Sequence, residues 1–342
     1  MKVLFIGGSG IISTACVELA LARGMQVSVL NRGNRPVPEG VSQIVADAND
    51  LDAAKSALGD AEWDVVLDFI SFIPEDLEKR LEVFRGNLRQ FFFISSASAY
   101  QRPCSHYLVT ESTPLENRYW EYSRQKISCE ERVMKALRDE QFPGTIIRPS
   151  LTFGDTQIPL AMGCWHAPFT MVKRLREGKP LIIPGDGSSL WTITHNTDFA
   201  KGLVGLFGND GAIGHAFHIT SDEVLTWDQI YQATAAAAGV GSPKFIHIAS
   251  DFISACMPGK RGSLAGDKAC SVVMDNSKIK RFVPDFLATT RYAEGIRKTV
   301  EWFDADPSRQ VVDPETDAAY DKLIEVYEAG LENAKKAFEV PV

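Results

Sequence analysis

Nowhere does this 342-residue chain reach the eighteen or so consecutive apolar residues that a membrane-spanning helix needs, and a membrane protein is not expected. Cysteine is sparse and scattered. Cys16, Cys104, Cys129, Cys164, Cys256 and Cys270 include no C-x-x-C pair, which argues against a disulfide framework and fits reduced thiols in a cytoplasmic protein. Positive charge is in deficit, with 36 Lys and Arg against 44 Asp and Glu for a net charge of −8. General nucleic-acid binding wants a basic face, so no nucleic-acid partner is expected. The first residues read as a strand and lack the basic segment and cleavage site of a signal peptide. Internal repeats and low-complexity segments are also missing.

What is present is an ordinary globular balance, 45% hydrophobic and 23% charged, with length enough for a large α/β domain and a smaller companion. The chain opens MKVLFIGGSGIISTACVELALARGMQVSVLNRG. Val3 to Gly7 form a short apolar run, glycines break it, and Ile11, Ile12, Ala15, Leu19 and Ala20 follow at helical spacing. Val27 to Leu30 supply a second strand, completing a βαβ unit of about thirty residues. Bare backbone at such a turn lets a pyrophosphate approach, and the helix N-terminus adds N–H donors and a positive dipole. Gly7, Gly10, Ile11 and Ile12 are therefore candidate cofactor-binding residues, with Ser13 at the place of a third glycine and small enough to pack there.

Strand and helix patterns alternate onward. Strands are expected at Gln43–Ala46, Val65–Ile70, Phe91–Ser95 and Thr145–Ile147, with helices at Asp50–Leu58, Pro74–Phe84 and Tyr122–Arg138. This alternation predicts an α/β fold with a Rossmann-type, doubly wound parallel sheet. After Gly154 the chain becomes rich in Pro and Gly, so a smaller, mainly helical C-terminal substrate lobe is expected over about 156–189 and 223–342. Residues 1–155 and about 190–222 then form the dinucleotide-binding domain, with Trp191–Leu206 and Ala216–Thr220 returning to the sheet. The last helix, Thr316–Phe338, carries Leu323, Val326, Tyr327 and Leu331 as an apolar stripe for packing or for a homodimer contact.

Chemistry concentrates in two fragments. FFFISSASAY ends a buried strand in hydroxyls, and EYSRQKIS opens a helix in which Tyr122 and Lys126 stand at i, i+4 on one face. An ammonium beside a phenol favours the phenolate, which makes a tyrosine usable as acid and base near neutral pH. A serine hydroxyl opposite, Ser96, would orient the reacting oxygen. At the end of the second strand, Asn31 stands where NAD-selective sites place a carboxylate, and Arg32 and Arg35 follow. Two guanidinium groups suit a 2′-phosphate, so NADP is favoured and NAD is still admitted.

These fragments, with DVVLDFIS, IIRPSLTFG, IPGDGSSLWTITHNTD and GHAFHITSDEVLT, resemble the extended short-chain dehydrogenase/reductases of the NAD-dependent epimerase/dehydratase family. The resemblance covers nearly the whole chain. It implies that Ser96, Tyr122 and Lys126 are catalytic, that Lys126 also holds the nicotinamide ribose, and that Arg148-Pro149-Ser150 borders the nicotinamide. It further implies cofactor contacts from Asp47 and Ala48 at the adenine and from Phe69, Ile70 and Ser71 along the cofactor. The expected activity is an NAD(P)-dependent oxidoreductase or epimerase working on a secondary alcohol or ketone carbon of a sugar-like small molecule. A simple ketone reductase and a non-catalytic, RNA-associated relative of the fold are the alternatives.

The chain departs from the family pattern in two places. Dehydratases follow the catalytic serine or threonine with Asp-Glu, and here Ala97-Ser98 occupies those positions, which argues against 4,6-dehydration. Many nucleotide-sugar epimerases place a diphosphate-gripping arginine where this chain has Trp191. Only Lys260, Arg261 and Lys268 stand near the second such position. Cys164-Trp165-His166 offers two metal-ligand types with no distant partner legible in the sequence, so no metal is expected. His195, Asn196 and Asp198 are expected to cap the helix that follows them.

Overall fold

The apolar runs at the centre of the chain's main sheet become strands whose two faces are both covered. In the computed structural model, which describes residues 1–338, β1 (Lys2–Ile6), β2 (Gln26–Asn31), β3 (Ser42–Val45), β4 (Trp63–Asp68), β5 (Leu88–Ile94), β6 (Gly144–Ile147) and β7 (Ala216–Phe217) form one seven-stranded sheet. Its order is β7-β6-β5-β4-β1-β2-β3 and every pairing is parallel. The chain winds outward in one direction from β1 and in the other from β4. The switch point therefore falls between β1 and β4, and ligands of such sheets bind beyond the carboxyl ends of the strands there.

Five helices cover this sheet: α1 (Ile11–Ala22), α2 (Leu51–Leu58), α3 (Pro74–Phe84), α4 (Glu121–Glu140) and α5 (Asn196–Gly205). Val3, Phe5, Val29, Val65, Leu67 and Phe92 point to one face, where Cys16, Val17 and Ala20 of α1 and Phe199 and Leu203 of α5 bury them. Leu4, Ile6, Leu30, Val66, Phe91 and Phe93 point to the other, against Leu77, Leu81 and Phe84 of α3 and Cys129 and Val133 of α4. Asp50 starts α2 by accepting from the Ala53 N–H at 3.0 Å, and Pro74 starts α3 at its first turn.

The chain divides into two compact units, Met1–Gly154 with Thr192–Val224 and Val272–Thr290, and Asp155–Trp191 with Leu225–Ser271 and Arg291–Val342. The segment Val272–Thr290, placed by sequence in the smaller lobe, belongs to the first unit. Within the second, Leu181–Pro184 pairs in parallel with Phe245–Ile248, and Leu190–Trp191 pairs antiparallel with Leu225–Thr226. Trp191 is buried there, its ring stacked 5.5 Å from that of Trp227.

Two local expectations are corrected. Of the segments expected to rejoin the main sheet, only Ala216–Phe217 does so, whereas Ile193–His195 pairs with Leu151–Phe153 in a separate parallel ladder. At the start of α5 only His195 caps, accepting from the Thr197 N–H. Asn196 instead donates to the Ile11 carbonyl at 2.9 Å, and Asp198 is buried, holding Lys201 at 2.6 Å and the Thr290 N–H at 2.8 Å. In the last helix, Pro314–Phe338, the apolar stripe divides: Tyr320, Leu323 and Ile324 are buried in packing, whereas Val326 and Leu331 are exposed.

Candidate functional site

The glycine turn leaves the carboxyl end of β1. Gly7 has φ +84°, and a Cβ there would stand 2.3 Å from Cγ2 of Ile70, in the segment after β4. Glycine is needed both for the backbone angle and for this close approach. Ser13 does more than fit. Its buried hydroxyl accepts from the Gly10 N–H at 2.8 Å and donates to the Gly7 carbonyl at 3.0 Å, so it fastens the turn to the first turn of α1. The Asn196–Ile11 bond braces the same helix start.

Beyond β4 the chain is folded by Asp68, a residue that the sequence reading missed. One oxygen of its fully buried carboxylate accepts from the N–H groups of Ile70 and Ser71, both at 3.0 Å, and the other lies 4.0 Å from Nε of Arg80. An Asp two and three residues ahead of a loop's N–H groups is a turn signal that could have found it. The turn aims the Ser71 carbonyl at Lys126. The Lys126 ammonium donates to that carbonyl and to the Ile94 carbonyl, each at 2.8 Å, and lies 4.6 Å and 4.9 Å from the ring centroids of Phe72 and Phe93. Burial pushes its pKa down to about 8, against the opposing pull of the Asp68 carboxylate.

Tyr122 lies half-buried one helical turn ahead of Lys126, its ring centroid 4.9 Å from that of Trp120 and 6.0 Å from the ammonium. Ser96 follows β5 and begins a single 3-10 turn, Ala97–Ala99, by accepting from the Ser98 N–H at 3.2 Å. The hydroxyls form a short relay: Ser123 donates to Ser98 at 2.8 Å, and Ser98 meets Ser96 at 2.9 Å. With its own acceptance from Ser123 made, Ser98 has a proton to give to Ser96. Either hydroxyl of that pair can donate, and with Ser98 as donor the Ser96 proton is left for a group outside the chain. Ser98 and Ser123 were not singled out from sequence, because hydroxyl chains have no spacing signature.

The remaining expected cofactor residues fall into two groups. Asn31 ends β2, where its side-chain oxygen accepts from the Gly33 N–H at 2.8 Å and from Gln43 at 2.9 Å, while Nδ2 is buried without a partner. Arg35 donates to the Ser9 carbonyl of the glycine turn at 3.0 Å, and Arg32 is exposed. Asp47 is exposed and turns the chain by accepting from the Asn49 N–H at 2.9 Å, whereas Ala48 is buried with its carbonyl on Arg80. Pro149 is buried and accepts from the Ala97 N–H at 2.9 Å, next to the Ser96 turn. Its neighbour Arg148 is held in a buried ion pair with Glu130 at 2.6 Å, which keeps the guanidinium pKa high despite burial. Among buried side-chain atoms, Oγ of Ser71 and Oγ of Ser95 also lack a partner.

The model of the NAD dependent epimerase/dehydratase family matches residues 3–220. Curated relatives include the chloroplast stem-loop binding protein of 41 kDa b of Arabidopsis thaliana, 26% identical over 72% of this chain and 65% of its own, and the 2′-dehydrokanamycin reductase of Streptomyces kanamyceticus, 29% identical over 70% and 67%. The chain thus spans about two thirds of the length of these relatives. Solved structures with the same fold include an epimerase from Methanothermobacter thermautotrophicus, with a TM-score of 0.74 at 18% identity over 90% of this chain and 93% of the other. Another is UDP-glucuronic acid 4-epimerase from Bacillus cereus, solved with UDP-glucuronic acid and NAD, with a TM-score of 0.71 at 20% identity over 89% and 99%. No helix among the described residues is long and apolar enough to cross a membrane.

Proposed function

This chain belongs to the NAD dependent epimerase/dehydratase family, and from that premise we propose that it moves a hydride between a nicotinamide cofactor and a secondary alcohol or ketone carbon of a sugar-like substrate, with Ser96, Tyr122 and Lys126 as its working residues. The observation that carries this reading is the convergence of Gly7, Ser71 and Ser96 at the carboxyl ends of β1, β4 and β5, with the Lys126 ammonium bonded to two of those strand ends. The residues fit a dinucleotide. Gly7 lets the turn close against Ile70, the N-terminus of α1 presents free N–H groups, and buried polar atoms of Asn31, Ser71 and Ser95 await partners.

The nicotinamide, when bound, supplies the hydride acceptor or donor. Tyr122 takes or gives the proton at the substrate hydroxyl, and Ser96, with its own proton free, fixes that oxygen. Lys126 holds the ribose and adds positive charge near the phenol. Gly7, Gly10, Ile11 and Ile12 hold the pyrophosphate, and Asn31, Arg32 and Arg35 face the adenosine ribose, favouring NADP. Ala97 and Ser98 carry no carboxyl group to move protons in a water elimination, so 4,6-dehydration is not part of the activity. Trp191 packs on Trp227 and offers no charge to a diphosphate.

Net reduction of a ketone is preferred over epimerisation on one observation, the 29% identity to a protein named as a 2′-dehydrokanamycin reductase. The relative named as a stem-loop binding protein supports a second reading, RNA association, which the net charge of −8 opposes. Titration with NADPH and NADH, followed by their oxidation in the presence of keto-sugars, tests the proposal. Stoichiometric cofactor consumption is the expected result. Salt-sensitive RNA binding without cofactor affinity would overturn it.

A further inference from the structure

Cys164 and His166 offer two metal-ligand types but no third within local sequence reach. Within the second unit, Asp313 at the start of the helix Pro314–Phe338 supplies one. Sγ of Cys164, a ring nitrogen of His166 and a carboxylate oxygen of Asp313 all lie within 4.8 Å of one another. We propose that these three side chains form a binding site for a zinc-class divalent cation, with the fourth position open to water or to another ligand.

The spacing carries the argument. Zinc bonds of about 2.3 Å to sulfur and about 2.0–2.1 Å to nitrogen and oxygen, arranged tetrahedrally, give ligand separations of about 3.6 Å for S···N, about 3.5 Å for S···O and about 3.3 Å for N···O. Sγ of Cys164 lies 3.7 Å from Nε2 of His166 and 3.8 Å from Oδ2 of Asp313, and those two atoms are 3.0 Å apart. Each edge matches a tetrahedral face to within about 0.3 Å. A thiolate, an imidazole and a carboxylate are also the donor set that zinc prefers over calcium or magnesium.

Sγ of Cys164 also lies 3.8 Å from Nδ1 of His166, so the sulfur meets both ring nitrogens. The imidazole is exposed, and a turn of the ring aims Nε2 at a shared cation. The thiolate and carboxylate together neutralise a dication, so Lys260, which interacts electrostatically with Cys164, does not face a net positive centre. Oδ2 of Asp313 also accepts from the Thr316 hydroxyl and from the Thr316 N–H at 3.3 Å, and these bonds fix the orientation of the carboxylate.

The test uses the full chain, stripped with a chelator and titrated with cobalt(II), whose thiolate complexes absorb in the near ultraviolet, and then with zinc. One equivalent of cobalt with a thiolate charge-transfer band, displaced by zinc, is expected. Cys164→Ser should abolish the band. Asp313→Asn, which preserves helix capping because Asn caps as well as Asp, should weaken binding at least about tenfold without unfolding the chain. Zinc should also raise the melting temperature of the native protein and fail to raise that of Cys164→Ser. A band that survives in Cys164→Ser, equal affinity in Asp313→Asn, or no cobalt binding would each overturn the site.

Discussion

Nζ of Lys126 donates to the carbonyl oxygen of Ser71 at 2.8 Å, which ties the second turn of α4, the longest helix on the sheet, to the turn that Asp68 builds after β4. The bond is made by a buried ammonium, and its ionisation has consequences for stability. The native pKa is about 8, below the ordinary lysine value of 10.5, so the folded chain gives up this proton first as pH rises. Between about pH 8 and 10.5 the unfolded state binds more protons than the native one, and the contribution of this group to stability rises across that window. Below pH 8 the full cost of the buried charge is present. Unfolding by denaturant at pH 7.5 and at pH 9.5 should show wild type gaining stability relative to Lys126→Met. Parallel pH dependences in the two proteins would remove the assigned shift.

Gly7→Ala combines a left-handed backbone angle with a Cβ 2.3 Å from Ile70, and it should cost about 1–3 kcal/mol of stability and abolish cofactor binding. Gly24→Ala separates the two causes. Gly24 has φ +73° with nothing within 4 Å, so its alanine variant bears only the backbone term and should keep cofactor affinity. Denaturant titration together with cofactor titration of both variants checks this, and equal losses at the two sites would contradict the close-approach argument.

Ser123→Ala removes the donor at the head of the Ser123–Ser98–Ser96 relay. Turnover should fall about tenfold, the scale of one ordinary hydrogen bond of about 1.4 kcal/mol, with cofactor affinity unchanged. Pairing it with Ser98→Ala measures the coupling. Additive losses in the double variant would show that the hydroxyls act separately.

Arg32→Ala should weaken NADP by about 1.5–3 kcal/mol and leave NAD nearly unchanged, because only the 2′-phosphate calls on the exposed guanidinium. Titration of both proteins with both cofactors reads this directly. Tighter wild-type binding of NAD than of NADP would contradict the assignment.

The sheet was legible because its strands are short apolar runs bounded by glycine and proline, and the β1 turn was legible because only glycine permits φ +84° against Ile70. That Tyr122 and Lys126 share one helix, a turn apart, was legible from their spacing. The ties that aim them were not. Asp68 acts through two backbone N–H groups, and Ser98 and Ser123 meet 25 residues apart across a helix and a 3-10 turn. Asp313 is separated from His166 by 147 residues, a distance that no local pattern crosses. Asn196 had the residue type of a helix cap, yet the close packing of α1 against α5 gave its amide to Ile11 instead.

Hydride transfer assisted by the Tyr122 hydroxyl is the centre of this account, and following deuterium from the nicotinamide C4 of reduced cofactor into a keto-sugar product tests it most directly. Wild type should place the label on the newly formed alcohol carbon. Tyr122→Phe keeps the ring against Trp120 and loses only the hydroxyl, so it should bind cofactor as wild type does and transfer the label at least about a hundredfold more slowly. Product formed without the label, or label transfer by Tyr122→Phe at the wild-type rate, would contradict it.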